Sequence, residues 1–298
     1  MTDELSRRAA IKLGAATAGG GAMGGLAGCS SIPFIGGGGG YTNWLAEPGV
    51  VADDDAYRFS WTDAQQVRNN EDEFDEDVYD SYESFNEERL DQAGLDYDDV
   101  NTFLSFQTVT VVDASFDRDD VADELEDNDY EDDTDHEGYT IYLGDNEFRA
   151  VGVSGSDLIY GRRNSDNDAA EVVEAAIDTN NGDEDRYVDE NDDFAELTSN
   201  LGTGTCTSGA SIDNDSDQVA SGRTISVNGE ISSVEAISVF DEADDLDQDD
   251  VDDLQEEGED SNDVDNFSAT KTGRVLTVSY DVDTDEIGTG EFGGFVGF

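Results

Sequence analysis

The stretch "TVTVVDASFDRDDVADELED", residues 108–127, decides the fold class. Thr108 to Phe116 is strongly β-branched and reads as a buried strand. Asp117 then stands where a helix N-cap belongs, and Val121 and Leu125 fall four apart on one face of the helix that follows. Beyond that helix, "GYTIYLG" (138–144) and "FRAVGVSGSDLIYG" (148–161) read as two strands joined by a turn at Asp145-Asn146. The local order is therefore strand, helix, strand pair.

The same order returns in the second half of the chain. "SSVEAISVF" (232–240) leads into the helical "LDQDDVDDLQEE" (246–257), and "FSATKTG" and "RVLTVSYDVD" close it as strands. Asp117-Arg118-Asp119-Asp120-Val121 matches Asp247-Gln248-Asp249-Asp250-Val251, a short acidic string that gives the pseudo-repeat its mark. "YRFSW" (57–61) reads as a first strand, and Tyr41 to Gly49 as an aromatic segment docking onto the domain. Apolar positions at three- and four-residue spacings predict helices over 63–104. Two more amphipathic helices are expected at 168–178 and 192–202, the latter ended by Gly202. These elements predict an α+β fold: a mixed or antiparallel sheet with helices on one face, and two ferredoxin-like halves as the finer expectation.

The front of the chain carries an address. Arg7, Arg8 and Lys12 supply a positive region, and Leu13 to Leu26 a glycine-rich apolar run too short for a membrane span, which needs about 20 residues. Ser6 to Lys12 resembles the twin-arginine signal S-R-R-x-F-L-K, with Ala10 and Ile11 in place of Phe and Leu. Leu26-Ala27-Gly28-Cys29 resembles a lipobox, whose cysteine takes a lipid and becomes the new N-terminus. The glycines from Gly36 to Gly40 hold no fixed direction and read as a leash. The expected organisation is a signal peptide over 1–28, a lipidated N-terminus and Gly-rich tether over 29–56, a first α+β half over 57–190, a second over 191–287, and a Gly/Phe-rich tail over 288–298.

Charge constrains the setting. The chain has 76 acids against 14 bases, a net charge of −62. Without residues 1–28, which hold two acids and three bases, 74 acids and 11 bases remain, and Lys271 is the one lysine among them. A compact domain so charged repels itself at low ionic strength, whereas at 1 M salt the screening length falls to about 3 Å. The composition thus reads as that of a halophilic protein. Aromatics at 9% and recurrent alternating runs argue against wholesale disorder. A nucleic-acid partner is excluded by the lack of basic patches.

Chemistry is sparsely signalled. His136 is the only histidine and sits in the acidic "DTDHEG", which reads as an exposed loop before a strand. "GVSGS" (152–156) departs from the G-x-S-x-G elbow at Ser156, and Cys206 lies among small residues that suit a strand, so no catalytic set is assigned. "DTNNGDEDRYVDE" (178–190) offers Asp178, Asn180, Asp183 and Asp185 to a calcium ion, but Gly182 falls at the fifth position where an EF-hand loop needs the sixth. No zinc spacing and no phosphate-cradling loop is present, and no cofactor is expected. Asn214 and Asn266 open N-x-[ST] sequons and are candidate glycosylation sites.

Taken whole, the chain resembles the haloarchaeal lipoproteins exported by the twin-arginine route, most specifically over residues 6–29. That resemblance implies lipid attachment at Cys29, passage through the twin-arginine machinery and residence at the extracellular face of the cell membrane, and it implies no particular activity. The expected role is a non-enzymatic surface protein with an acidic binding or envelope domain whose partner is unknown. A solute-binding lipoprotein feeding a transporter is the alternative, and a surface hydrolase is a third reading that the missing catalytic set disfavours.

Overall fold

The computed structural model describes residues 40–52, 56–144, 147–212, 217–261 and 264–288. Twelve strands form one sheet: β1 Arg58–Asp63, β2 Val100–Phe106, β3 Val109–Ala114, β4 Glu131–His136, β5 Tyr139–Leu143, β6 Arg149–Val153, β7 Asp157–Arg162, β8 Cys206–Ser211, β9 Gln218–Asn228, β10 Ile231–Phe240, β11 Asp265–Thr272 and β12 Val275–Asp283. Its order is β11-β12-β10-β9-β8-β1-β2-β3-β7-β6-β5-β4. Every neighbouring pair is antiparallel. Among the described residues, six α-helices of six residues or more flank it: α1 Ala64–Asn69, α2 Glu76–Leu90, α3 Arg118–Asp127, α4 Ala169–Asn181, α5 Asp192–Leu201 and α6 Gln248–Glu259.

The α+β class with an antiparallel sheet is what the patterning calls for. Asp117 caps α3 by accepting from the Asp119 amide at 3.0 Å. Asp168 and Glu171 form a reciprocal capping box on α4, and Gly182, at φ +82°, ends that helix in the left-handed conformation. α3 and α6, which carry the matched acidic strings, follow the third of three antiparallel neighbours in each half, β1-β2-β3, where α1 and α2 connect the first two, and the meander β8-β9-β10. In each half the last strand then returns to lie beside that third strand, β7 on β3 and β12 on β10. β1 and β8 join the two units in the middle of the sheet.

Three expectations are corrected. Helices lie on both faces of the sheet, because the strands are apolar on both. Phe103 and Val112 face one core with α1, α2, α3 and α6, while Leu104 and Val111, their chain neighbours, face another with α4 and α5. Neither half has the ferredoxin-like β-α-β-β-α-β arrangement: in the first, β1, β2 and β3 lie side by side with α1 and α2 between β1 and β2, and α3 leads into two hairpins; in the second, the meander β8-β9-β10 leads through α6 into one hairpin. The helical stretch over 63–104 contains β2, whose Val100, Phe103, Leu104 and Phe106 are spaced like a helix face because both sides of the strand are buried.

The segment ahead of β1 is part of the second core rather than tether alone. Trp44 and Leu45 are fully buried, and Tyr41 stacks on Phe59 with ring centroids 4.9 Å apart. Tyr57, Tyr187 and Phe194 continue this aromatic cluster. The expected tether therefore gives way to packed structure at Tyr41, well before residue 56.

Candidate functional site: an open trough on the sheet

Acids are kept out of both cores. Among the described residues, Asp63 is the one carboxylate in the buried class, and it caps α1 by accepting from the Gln66 amide at 2.8 Å. Several bases clamp one element to another. Arg68 donates to the carbonyls of Tyr97 and Val100, Arg274 to Asp193, Glu196 and the Phe240 carbonyl, and Lys271 to the carbonyls of Ala243 and Leu246. Arg118 donates to Thr140, and Arg186 reaches Asn43 and Asp189. Arg89 and Arg163 lie over the rings of Phe85 and Phe148.

Against that pattern, two arginines share one depression. It lies over β1, β8, β9 and β10, holds about 440 Å³, and is open to solvent. Pairing runs Arg58↔Ala210↔Ser221↔Ser238 and, one step along, Ser60↔Ser208↔Arg223↔Ala236. Direct cross-strand partners share a face, so Arg58 and Arg223 flank a floor of Ser208, Ala210, Ser221, Ala236 and Ser238. Neighbouring strands are about 4.8 Å apart, which puts Arg58 and Arg223 two strand spacings from each other across β8. The side chains here are small, so the floor is flat.

The opposite face of the same strands explains why this one stays open. Gly209 and Gly222 pair directly and let α5 lie close: a Cβ on Gly222 would fall 2.6 Å from Leu201 and 2.6 Å from the Ser208 carbonyl oxygen. With α5 packed on that side and α6 on β11, the side chains lining the trough over β8 and the near end of β9 are mostly small, with Gln218 at one end donating to Ser238 at 2.9 Å. Arg58 is exposed and, among the described residues, forms no ion pair, while Arg223 is half-buried.

A second polar station lies on the far half of the sheet. His136 ends β4 and is half-buried; its Nε2 is 2.6 Å from Asp178 Oδ1 on α4 and its Nδ1 is 4.0 Å from Glu174. This corrects the exposed-loop reading. His136 pairs across the strands with Tyr139, whose hydroxyl donates to Asp157 Oδ2 at 3.4 Å, and Asp157 in turn faces Asp113. Burial pushes Asp113 and Asp157 above the ordinary carboxylate range, Asp113 with a further push from Asp157 and a restraining hydrogen bond from Asn101. Burial likewise drives the Tyr139 phenol up. Ser154 and Ser156 both donate to Asp157, so "GVSGS" is the β6–β7 turn held by an aspartate.

The remaining sequence-predicted residues are dispersed. Arg7, Arg8, Cys29 and Asn214 lie outside the described residues. Asn266 sits exposed at a bulge in edge strand β11, with φ +55°, and donates to Asp281 at 2.9 Å. Cys206 is buried at the start of β8 and is in no disulfide. The calcium-loop residues do not converge: α4 runs to Asn181, so Asp178 and Asn180 are on the helix, turned about 200° from each other, and Asp183 and Asp185 follow its glycine cap. Among the described residues no three metal-ligating side chains cluster. Nor is any helix there long and apolar enough to cross a membrane. Arg58 and Arg223 carry no sequence signal of their own; only the register of four strands brings them together.

No protein-family model matches the chain, and no curated protein matches it. Among solved structures, crystal form IV of TP0453 aligns with a TM-score of 0.47 at 10% identity, over 83% of this chain and 97% of that one. Crystal form III of TP0453 gives 0.44 at 11%, over 80% and 94%.

Proposed function

We propose that this chain is a lipid-anchored surface protein of a halophilic archaeon, exported by the twin-arginine route, whose twelve-stranded domain is a non-enzymatic binding module. Its address rests on the sequence: Arg7 and Arg8 for export, Cys29 for the lipid, and glycines 36–40 as the leash outside the membrane. The observation that carries the binding role is the open trough, where two of the chain's few bases flank a flat floor of small side chains. Asn214 and Asn266 are candidate glycan sites of an exported chain, and the exposure of Asn266 supports the second of them.

The address is tested by Cys29→Ser in a halophilic host. The native chain partitions with membranes and carries the mass of a lipid on its N-terminal cysteine. The variant is released to the medium or left unprocessed. Equal membrane retention of both would refute anchoring at that sulfur.

A further inference from the structure

The trough can be given a ligand class, an inference that rests on reading it as the binding seat. We propose that it takes a small, flat-bodied organic carboxylate, with the carboxylate on Arg58 and Arg223 and the flat body on Ser208, Ala210, Ser221, Ala236 and Ser238.

Size comes first. About 440 Å³ suits a small molecule, since such sites span roughly 300–1,000 Å³. A floor without large side chains, backed by Gly209 and Gly222 in the same strands, offers a plane rather than a slot. Ala210 and Ala236 give it apolar contact, and the three serines leave hydroxyls around the rim of that contact.

Charge decides the headgroup. Guanidinium forks match carboxylate geometry and are more weakly hydrated than ammonium, so they keep their value where molar salt screens simple point charges. Arg58 is exposed yet makes no ion pair among the described residues, although acids outnumber bases by 76 to 14 in the chain. An arginine kept from that excess of carboxylates, and set across one strand from a second arginine, is complementary to a ligand rather than to the protein's own surface. Arg223 already has partners of its own, so Arg58 is the residue whose loss should be felt most.

The experiment uses the full chain in neutral detergent and molar KCl, titrated calorimetrically with 2-naphthoate and, separately, with its uncharged analogue 2-naphthamide. The native protein should bind one naphthoate and bind the amide at least tenfold more weakly. Arg58→Gln, at an exposed position, should fold normally by circular dichroism and bring naphthoate down to the level of the amide. Ala210→Trp should abolish binding of both; if that variant fails to fold, Ser238→Phe fills the other end of the floor. Equal binding of naphthoate and naphthamide would overturn the proposal, as would unchanged naphthoate binding by Arg58→Gln. So would a change in particle mass by light scattering in Arg58→Gln, which would make the trough a contact between copies. None of these results bears on Cys29, so failure here and failure of the anchored-surface reading are separable.

Discussion

His136 Nε2 lies 2.6 Å from Asp178 Oδ1, joining the sheet's last strand to helix α4 across 42 positions of sequence. β4 is an edge strand of mostly acidic residues and has few other ties to the body of the domain. Its burial is slight, so this contact and the β5 ladder are what hold it.

Replacing His136 with Ala should therefore cost about 1 kcal/mol, the scale of one half-buried hydrogen bond. The loss should be local: amide exchange in β4 and the outer half of β5 should speed up while the central strands keep their protection. Glu174→Gln, which changes the more distant 4.0 Å partner, should have little effect. Exchange rates in β4 that do not respond to His136→Ala would show that the pairing with β5 alone fixes the edge.

Gly222 is a sharper test of packing. Its absent Cβ leaves room for Leu201 of α5 and for the Ser208 carbonyl, each within 2.6 Å of where that atom would stand. One of those two neighbours is backbone, so the clash cannot be relieved by a rotamer change. Gly222→Ala should destabilise by roughly 2 kcal/mol or more, within the range for overpacked cores. Gly229→Ala is a different case: nothing lies within 4 Å of its Cβ, but φ is +81°, so any loss there comes from backbone strain. Thermal melts of the two variants in molar salt separate the mechanisms, because a Leu201→Ala background should rescue part of the first and none of the second.

The elements that were legible in the sequence are those with one wet face or a strong cap. α3, α4 and α5 each show apolar spacing behind a capping acid or asparagine, α6 shows it behind an Asp247 that makes no cap bond, and β12 alternates cleanly through Leu276, Val278 and Tyr280. β2 was hidden because a strand buried on both faces loses its two-residue period. β4, "EDDTDH", was hidden for the opposite reason: an edge strand can be charged along its whole length, which also discourages pairing with another chain. The proposed leader rests on signals that are contiguous in the sequence, from Arg7 to Cys29. The trough was not legible there, since Arg58 and Arg223 come from different halves and meet only through the β1–β8–β9 register.

Asp113 supplies a pH test. Burial raises its carboxyl above the ordinary 3.8, and Asp157 across the strand adds to that shift. For an acid whose folded pKa is raised, the folded state holds its proton over a window in which the unfolded chain has released it. Stability from this site therefore falls as pH rises through that window and stays low above it. Asp113→Asn keeps an oxygen to accept from Asn101 and removes the buried charge. The variant should melt higher than the native chain at pH 7, and the difference should shrink to nothing once the pH is below 3.8, where both are uncharged at this position. A difference that stayed constant across that range would mean that the side-chain shape, not its charge, is what matters.

The last prediction concerns the whole surface. Apart from Asp63, the acids of the described domain lie outside the buried class, so their mutual repulsion acts across solvent and depends on its ions. At 1 M salt the screening length is about 3 Å, comparable to a contact distance; at 0.1 M it is about 10 Å, long enough for each carboxylate to feel many others. Both cores are already well formed, and their apolar burial weakens only modestly over the same change. Repulsion should win, and dialysis to about 0.1 M KCl should cause cooperative loss of the sheet by circular dichroism, reversed when salt is restored. Lowering the pH toward the sequence pI of about 4.1 at fixed low salt should recover the β signal in the soluble fraction, because protonation removes the same charge that salt would screen. A chain fully folded at 0.1 M and neutral pH would show that the packing of Trp44, Trp61 and Phe103 outweighs the repulsion without help from the solvent.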